Sequence, residues 1–527
     1  MTRPLALALA AATLASPLAA QQTTPERTAA ARTSTHAEVL AFLDSLQARG
    51  AAIRVGELGR SPQGRAIPYV IAARPMVATP DEAKRSGKPV LFIQANIHAG
   101  EVEGKEALQQ VLRELTLGSL RPLLDSVIVL AVPIYNSDGN EAFGPAQRNR
   151  PGQNGPDTVG LRPNGQGYDL NRDYVKQDAP ETRASLAFVA AWDPDLWMDL
   201  HTTNGSYHGY ALTWSPGLNP NRTPANAWVQ DTVLPTLRAR LRARHRVETF
   251  PYGNFNNQHP DSLATAGWWT YESVPRFGSN LMGMSRLSIL SEAYSNDPFA
   301  RRIEATAAFV IETIRYLAEQ RTAVRDRMAR TIAHRPDSVI VRSAFAPPRR
   351  DTVIAEITHA AGAGAGPFAR RQRTGEFRRI VMPVVDRFVA TRSEKIPAAY
   401  LLDAQWSEVV ERLVRQGVVV ERLAAPVVVA SERFRVDSLV VQRPFEGHRP
   451  VRADGAWGTA AADTLAAGSF LVPTDQRLGM VVAFLLEPAS EDGYTTWNLF
   501  DRALRARGAH PVRRVHALPA VPRTVVR

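Results

Sequence analysis

The sequence predicts an α/β protein built on a mixed, mostly parallel sheet flanked by helices, with a smaller C-terminal α+β domain. Three observations carry this. Largely apolar runs of strand length recur at Pro89–Asn96, Ser126–Asn136 and Asp195–His201, the pattern of strands buried on both faces, and a final strand is expected at Arg286–Tyr294. Segments of helical spacing lie between them, and such alternation calls for a parallel or mixed sheet covered on both sides. With 527 residues the chain also exceeds what one core ordinarily holds.

Taken in order, Met1–Ala20 combines an early Arg3, a short apolar stretch broken by Pro17 and small residues at its end. That is a secretory signal peptide with cleavage near Ala20, so the protein is expected to be secreted or periplasmic. The larger, N-terminal domain is expected over 35–330. His36 to Arg49 sets Val39, Leu40, Phe42, Leu43 and Leu46 at helical spacing. Two short strands, 53–60 and 65–73, follow around Pro62 and Gly64. After the strand at Pro89, a helix over 102–116 buries Leu108, Val111, Leu112 and Leu115. The strand at Ser126 ends in Asn136-Ser-Asp138-Gly139, a strong turn. A long Gly-, Pro- and Asn-rich loop spans 141–167, of the kind that is usually functional. Helices are expected over 179–192, 226–244 and 300–330, with a polar aromatic loop up to Gly283 and the last strand at Arg286. Residues 335–370, with their Ala-Gly repeats, read as a linker. The C-terminal domain, 371–527, opens with a strand, a helix from Trp406 and a strand from Val418.

Composition narrows the function. The net charge is +12, yet only five of the 63 basic residues are Lys. The 58 Arg are scattered among Ala and Pro, so no nucleic-acid partner is expected. There is no cysteine, which excludes disulfides and thiolate chemistry and leaves metal ligation to His, Asp and Glu. No stretch of the mature chain approaches the ~20 uninterrupted apolar residues of a membrane-spanning helix.

Three strand ends carry chemistry: His98 and Glu101, His201, and Glu292. Open α/β sheets bind ligands beyond the carboxyl ends of their strands. Two imidazoles and a carboxylate suit zinc, which in catalytic sites keeps three protein ligands and an open position. A second His-x-x-Glu, His245 and Glu248, lies in an Arg-rich helix end where cations repel a metal. Asp169 is the candidate acceptor for the second ring nitrogen of His98. The plainer readings are that Glu292 is a structural acid and that Asn171 and Arg172 staple a loop.

These residues resemble the zinc metallocarboxypeptidases, the carboxypeptidase A-like enzymes. The resemblance rests on His98-x-x-Glu101, Asn136-x-Asp138-Gly139, Asp169-x-Asn171-Arg172, Asp199-Leu-His201 and a later strand with Glu292, in the family's order. It implies Zn2+ held by His98, Glu101 and His201, and Glu292 as general base. It further implies Asn171 and Arg172 on the terminal carboxylate of a peptide substrate, and Tyr271 as an aromatic closing over it. An oxyanion-stabilising arginine is implied in the loop Gln147-Arg148-Asn149-Arg150, with Arg148 preferred over Arg150. Asp173, after Arg172, departs from the family pattern and adds a negative charge that is expected to shift substrate preference. The expected function is a secreted metallocarboxypeptidase. The alternatives are a zinc amidase acting on cell-wall peptides or acylated amino acids, and a binding homologue without turnover.

Overall fold

The computed structural model describes residues 22–360, 371–505 and 507–526. The expected signal peptide lies outside the described residues. At the centre is an eight-stranded mixed sheet. In chain order its strands are β1 (Ile53–Arg60), β2 (Ala66–Ala72), β3 (Val90–Ala95), β4 (Ile128–Val132), β5 (Leu196–Thr202), β6 (Leu212–Pro216), β7 (Thr249–Pro251) and β8 (Leu287–Ala293). Across the sheet they run β1-β2-β4-β3-β5-β8-β6-β7. The neighbours β4/β3, β3/β5, β5/β8 and β6/β7 are parallel, and the remaining pairs antiparallel. β6 and β7 were not expected as strands, because short runs containing Ser and Pro carry little strand signal.

Side chains alternate across each strand, and here both faces are buried. Leu91, Ile93, Met198 and Ile289 face one core together with Val39, Leu112, Val233 and Phe309 of the helices His36–Ala48, Glu103–Thr116, the helical turns 224–245 and Phe299–Glu319. Thr35 starts the first of these, its hydroxyl accepting from Glu38 N while the Glu38 carboxylate accepts from Thr35 N. The single helix expected over 300–330 is two, Phe299–Glu319 and Arg321–Ile332, separated at Gln320.

Phe92, Leu130 and Trp197 face the opposite way, onto helix Pro180–Trp192 and the C-terminal region through Trp406, Leu485 and Trp497. The eight-stranded sheet and the C-terminal region therefore share one core. Helix Gly479–Leu486 is buried at every residue. Leu485→Ala in it is expected to cost about 2–5 kcal/mol and to lower the melting midpoint of the whole chain by several degrees. An unchanged midpoint would show that the helix is not part of that core.

The C-terminal strands form a second sheet, in the order 451–457, 427–441, 509–515, 399–402, 470–473, 421–423 and 523–525. The expected linker is corrected by its described part. Ser338–Phe345 pairs with Phe388–Lys395, and Arg349–Ala360 pairs along its length with Arg371–Val385. Val353, Ala355 and Ile357 turn inward from this hairpin toward Tyr210 and Trp268. The strand escaped notice because its pairing partner lies beyond the Ala-Gly run, and period-2 alternation diluted by Arg and Thr reads as loop until it is paired.

Candidate active site

Parallel pairing sets the site. In register, Glu292 of β8 lies opposite His201 of β5, and Leu200 lies opposite Ala95 at the end of β3. The chain leaves β3 in a tight turn in which Glu101 N donates to the His98 carbonyl at 2.9 Å. Asn136, from the motif after β4, locks that turn. Its amide donates to the carbonyls of Ile97 (3.2 Å) and Arg162 (3.1 Å), and its oxygen accepts from Gly139 N.

His98 Nδ1 lies 3.1 Å from one Glu101 oxygen, and His201 Nδ1 lies 3.0 Å from the other. Their opposite ring nitrogens are each held by a carboxylate, His98 Nε2 by Asp169 at 3.0 Å and His201 Nε2 by Asp199 at 2.9 Å. A carboxylate accepting from Nε2–H leaves the Nδ1 lone pair free, so two nitrogen lone pairs and one carboxylate converge. The three ligand atoms lie within 4.8 Å of one another and all three residues are buried. This donor set fits zinc, with room for a non-protein ligand. Asp169, expected beside His98, makes that 3.0 Å contact with its Nε2. Asp199 is a second such residue, and its Asp-x-His spacing on a strand, which turns both side chains to one face, was the signal for it.

Charge around the centre is balanced. Burial opposes ionisation of Glu101, but His98, Arg150 and His201 outweigh it and hold the carboxyl well below its usual range. Burial likewise opposes the Asp169 carboxylate and is overcome by His98 and Arg162. Glu292 differs: burial pushes it up to about 8, with His201 opposing the shift and Glu101 adding to it. Its Oε2 is buried without a hydrogen-bond partner, a state that ordinarily needs an explanation.

These groups open into a cavity of about 280 Å³ lined by His98, Glu101, His201, Glu292, Asn171, Arg172, Tyr271 and, among others, Arg162, Tyr252, Phe277 and Leu290. The Arg172 guanidinium lies 3.8 Å above the Phe277 ring and donates to the Asn171 carbonyl. Asn171 Oδ1 accepts from Gly278 N at 3.1 Å. Gly278 is required there, since a Cβ would sit 2.8 Å from Trp197 and Tyr174. Tyr271 packs against Tyr252 and Phe277, its hydroxyl 3.1 Å from Ser279 Oγ.

Two expectations are corrected. Arg148 is exposed and turned toward Asn149. The arginines at the centre are instead Arg150, 3.3 Å from Glu101 and bonded to the Thr202 and Thr203 carbonyls, and Arg162, 3.5 Å from Glu101 and 2.8 Å from Asp169. Arg162 had no sequence signal, because the 141–167 loop folds back over the site through non-local contacts. Asp173 does not face Arg172's cavity. It is buried, accepts from the Asp178 and Ala179 amides at 2.9 Å each ahead of helix Pro180–Trp192, and is pushed by burial up to about 6. The second His-x-x-Glu stays apart from any metal cluster among the described residues, with His245 on Glu312 and Glu248 on Arg242.

Residues 39–275 match the zinc carboxypeptidase family. The match stops short of β8, so Glu292 lies outside it. Carboxypeptidase 2 of Trichophyton rubrum is 22% identical over 466 residues, spanning 84% of this chain and 79% of that one. A metallo-carboxypeptidase structure from Burkholderia cenocepacia is 18% identical, with a TM-score of 0.39 over 55% of this chain and 70% of that one. The carboxypeptidase A structure from Helicoverpa armigera is 17% identical, with a TM-score of 0.40 over 56% and 74%. Among the described residues no helix is long and apolar enough to cross a membrane.

Proposed function

We propose that the protein, whose residues 39–275 match the zinc carboxypeptidase family, hydrolyses the C-terminal peptide bond of peptides, with His98, Glu101 and His201 as zinc ligands and Glu292 as the general base. The observation that carries this reading is the unpartnered, buried Glu292 oxygen in the same cavity as the three ligands and the Arg172 guanidinium. Zinc supplies a water of lowered pKa and polarises the scissile carbonyl.

The chain's own residues do the rest. Glu292, which lines the same cavity as the three ligands, takes the proton of the attacking water and returns it to the leaving amine. Arg172, its planar fork fixed over Phe277, pairs with the substrate's terminal carboxylate, and the Asn171 amide supports it. Arg162, which lines the cavity, is the candidate to stabilise the developing oxyanion, and Arg150 adds positive charge behind Glu101. Tyr252, Tyr271, Phe277 and Leu290 wall the cavity and exclude water from the last side chain of the peptide. Export through the N-terminal segment 1–20 belongs to the same proposal and rests on the sequence pattern there.

Blocked dipeptides with a free terminal carboxylate test it. Turnover is expected to vanish on treatment with a chelator and to return with zinc. Equal turnover by the chelated protein would sink the metal mechanism. A preference for amidated termini or peptidoglycan fragments would replace the carboxypeptidase reading by the amidase one.

A further inference from the structure

We infer that Glu446, at the tip of a C-terminal hairpin, is a positioning residue for the metal centre: its carboxylate holds the main chain of Asp169, the residue that orients His98. The inference rests on the zinc reading above. It gives the C-terminal region a task in the site that packing alone does not require.

The contact runs across 277 residues of sequence. One Glu446 oxygen accepts from Asp169 N at 2.6 Å. The other accepts from Lys176 Nζ, a fully buried ammonium that also lies 4.9 Å from the Phe445 ring and 5.1 Å from the Trp497 ring. Both ends of the segment 169–176 are thus tied to one carboxylate, and that segment carries Asn171 and Arg172 as well as Asp169. Neighbouring contacts keep the hairpin there: His448 Nε2 lies 2.7 Å from Asp178, and Arg412 Nε donates to the Lys176 carbonyl at 2.9 Å.

The turn itself points to the side chain. Phe445 and His448 exchange backbone hydrogen bonds of 3.0 Å, and the two residues between them, Glu446 and Gly447, have φ of 47° and 83°. Two-residue turns with both central φ positive favour Asn-Gly or Asp-Gly, because a longer side chain enters the left-handed region at a cost. Glu in the first position works against the turn. A strained residue that persists implies that its surroundings demand it, and here the demand is reach: a two-carbon stem brings one oxygen to Asp169 N and the other to Lys176.

Two substitutions in the full chain separate reach from charge. Glu446→Asp keeps the charge and suits the turn, but is one methylene too short to serve both partners. Glu446→Gln keeps the reach and the acceptor for Asp169 N, but removes the charge facing Lys176. The apparent zinc dissociation constant is read by competition with a chromogenic chelator, beside the melting midpoint. Glu446→Asp is expected to weaken zinc binding ~10-fold or more, as loss of an orienting partner does, with a midpoint close to wild type. Glu446→Gln is expected to bind zinc within ~3-fold of wild type and to melt lower. The reverse order of zinc affinities, wild-type affinity in both variants, or a Glu446→Asp chain that fails to fold would each overturn the inference; if only Glu446→Gln fails to fold, the Glu446→Asp affinity decides. Peptide turnover is measured separately. Wild-type protein that binds zinc but cleaves no peptide sinks the peptidase reading and leaves this comparison intact.

Discussion

Glu292→Gln protein is expected to bind zinc like the wild type and to cleave blocked dipeptides ~10²–10⁴-fold more slowly, the range that general acid–base catalysis contributes. Gln is isosteric and cannot take a proton, so the wall of the cavity stays and the base goes. The substitution carries a second, thermodynamic signature in chelated protein. Burial raises the folded-state pKa of Glu292 from the ordinary carboxyl value of 4.5 to about 8. Between these values the folded state holds a proton that the unfolded state has released, so this group lowers stability as pH rises through that window. The stability difference between Glu292→Gln and wild type should therefore widen in favour of Gln from about pH 5 to pH 8. Retention of full activity by the variant would remove Glu292 from the mechanism, and loss of zinc would show that it acts on the ligands instead.

Arg172→Met is expected to lower kcat/KM for peptides with a free terminal carboxylate by ~30-fold or more, the ~2 kcal/mol or more lost when one partner of a desolvated, hydrogen-bonded charge pair is truncated. Amidated peptides should lose little. The reason lies in the geometry. The guanidinium stacks on Phe277 and spends one N–H on the Asn171 carbonyl, while its nearest carboxylate, Asp169, is 4.0 Å away and already engaged with His98 and Arg162. Its fork is thus positioned for a carboxylate that arrives from outside. If Arg172 only stapled the loop, the melting midpoint would fall and both substrates would suffer alike.

Much of this site was legible in the chain itself. The apolar runs that became β3, β5 and β8 end at His98, His201 and Glu292, and ligands gather at strand ends because that is where a parallel sheet exposes its crevice. Asp169 was legible for a chemical reason, since a ligating imidazole needs an acceptor on its far side. Choosing between Arg148 and Arg150 was not. Both belong to one short loop, and which of them points inward depends on the helical turn Ala146–Asn149, whose orientation is set by its packing on distant residues. The acidic Asp173 misled for a similar reason: proximity in sequence suggested charge beside Arg172, whereas the chain turns it to the backbone amides ahead of the next helix.

By itself, the sequence determined the mixed sheet and that His98, His201 and Glu292 close three of its strand runs, because each follows from local periodicity. Tertiary structure alone decided that Arg150 and Arg162 flank Glu101, that residues 338–360 are strands, and that Glu446 reaches Asp169. These depend on pairs far apart along the chain, and a contact spanning 277 residues leaves no periodic trace in either partner. Only folding of the C-terminal region onto the eight-stranded sheet brings Glu446 to Asp169.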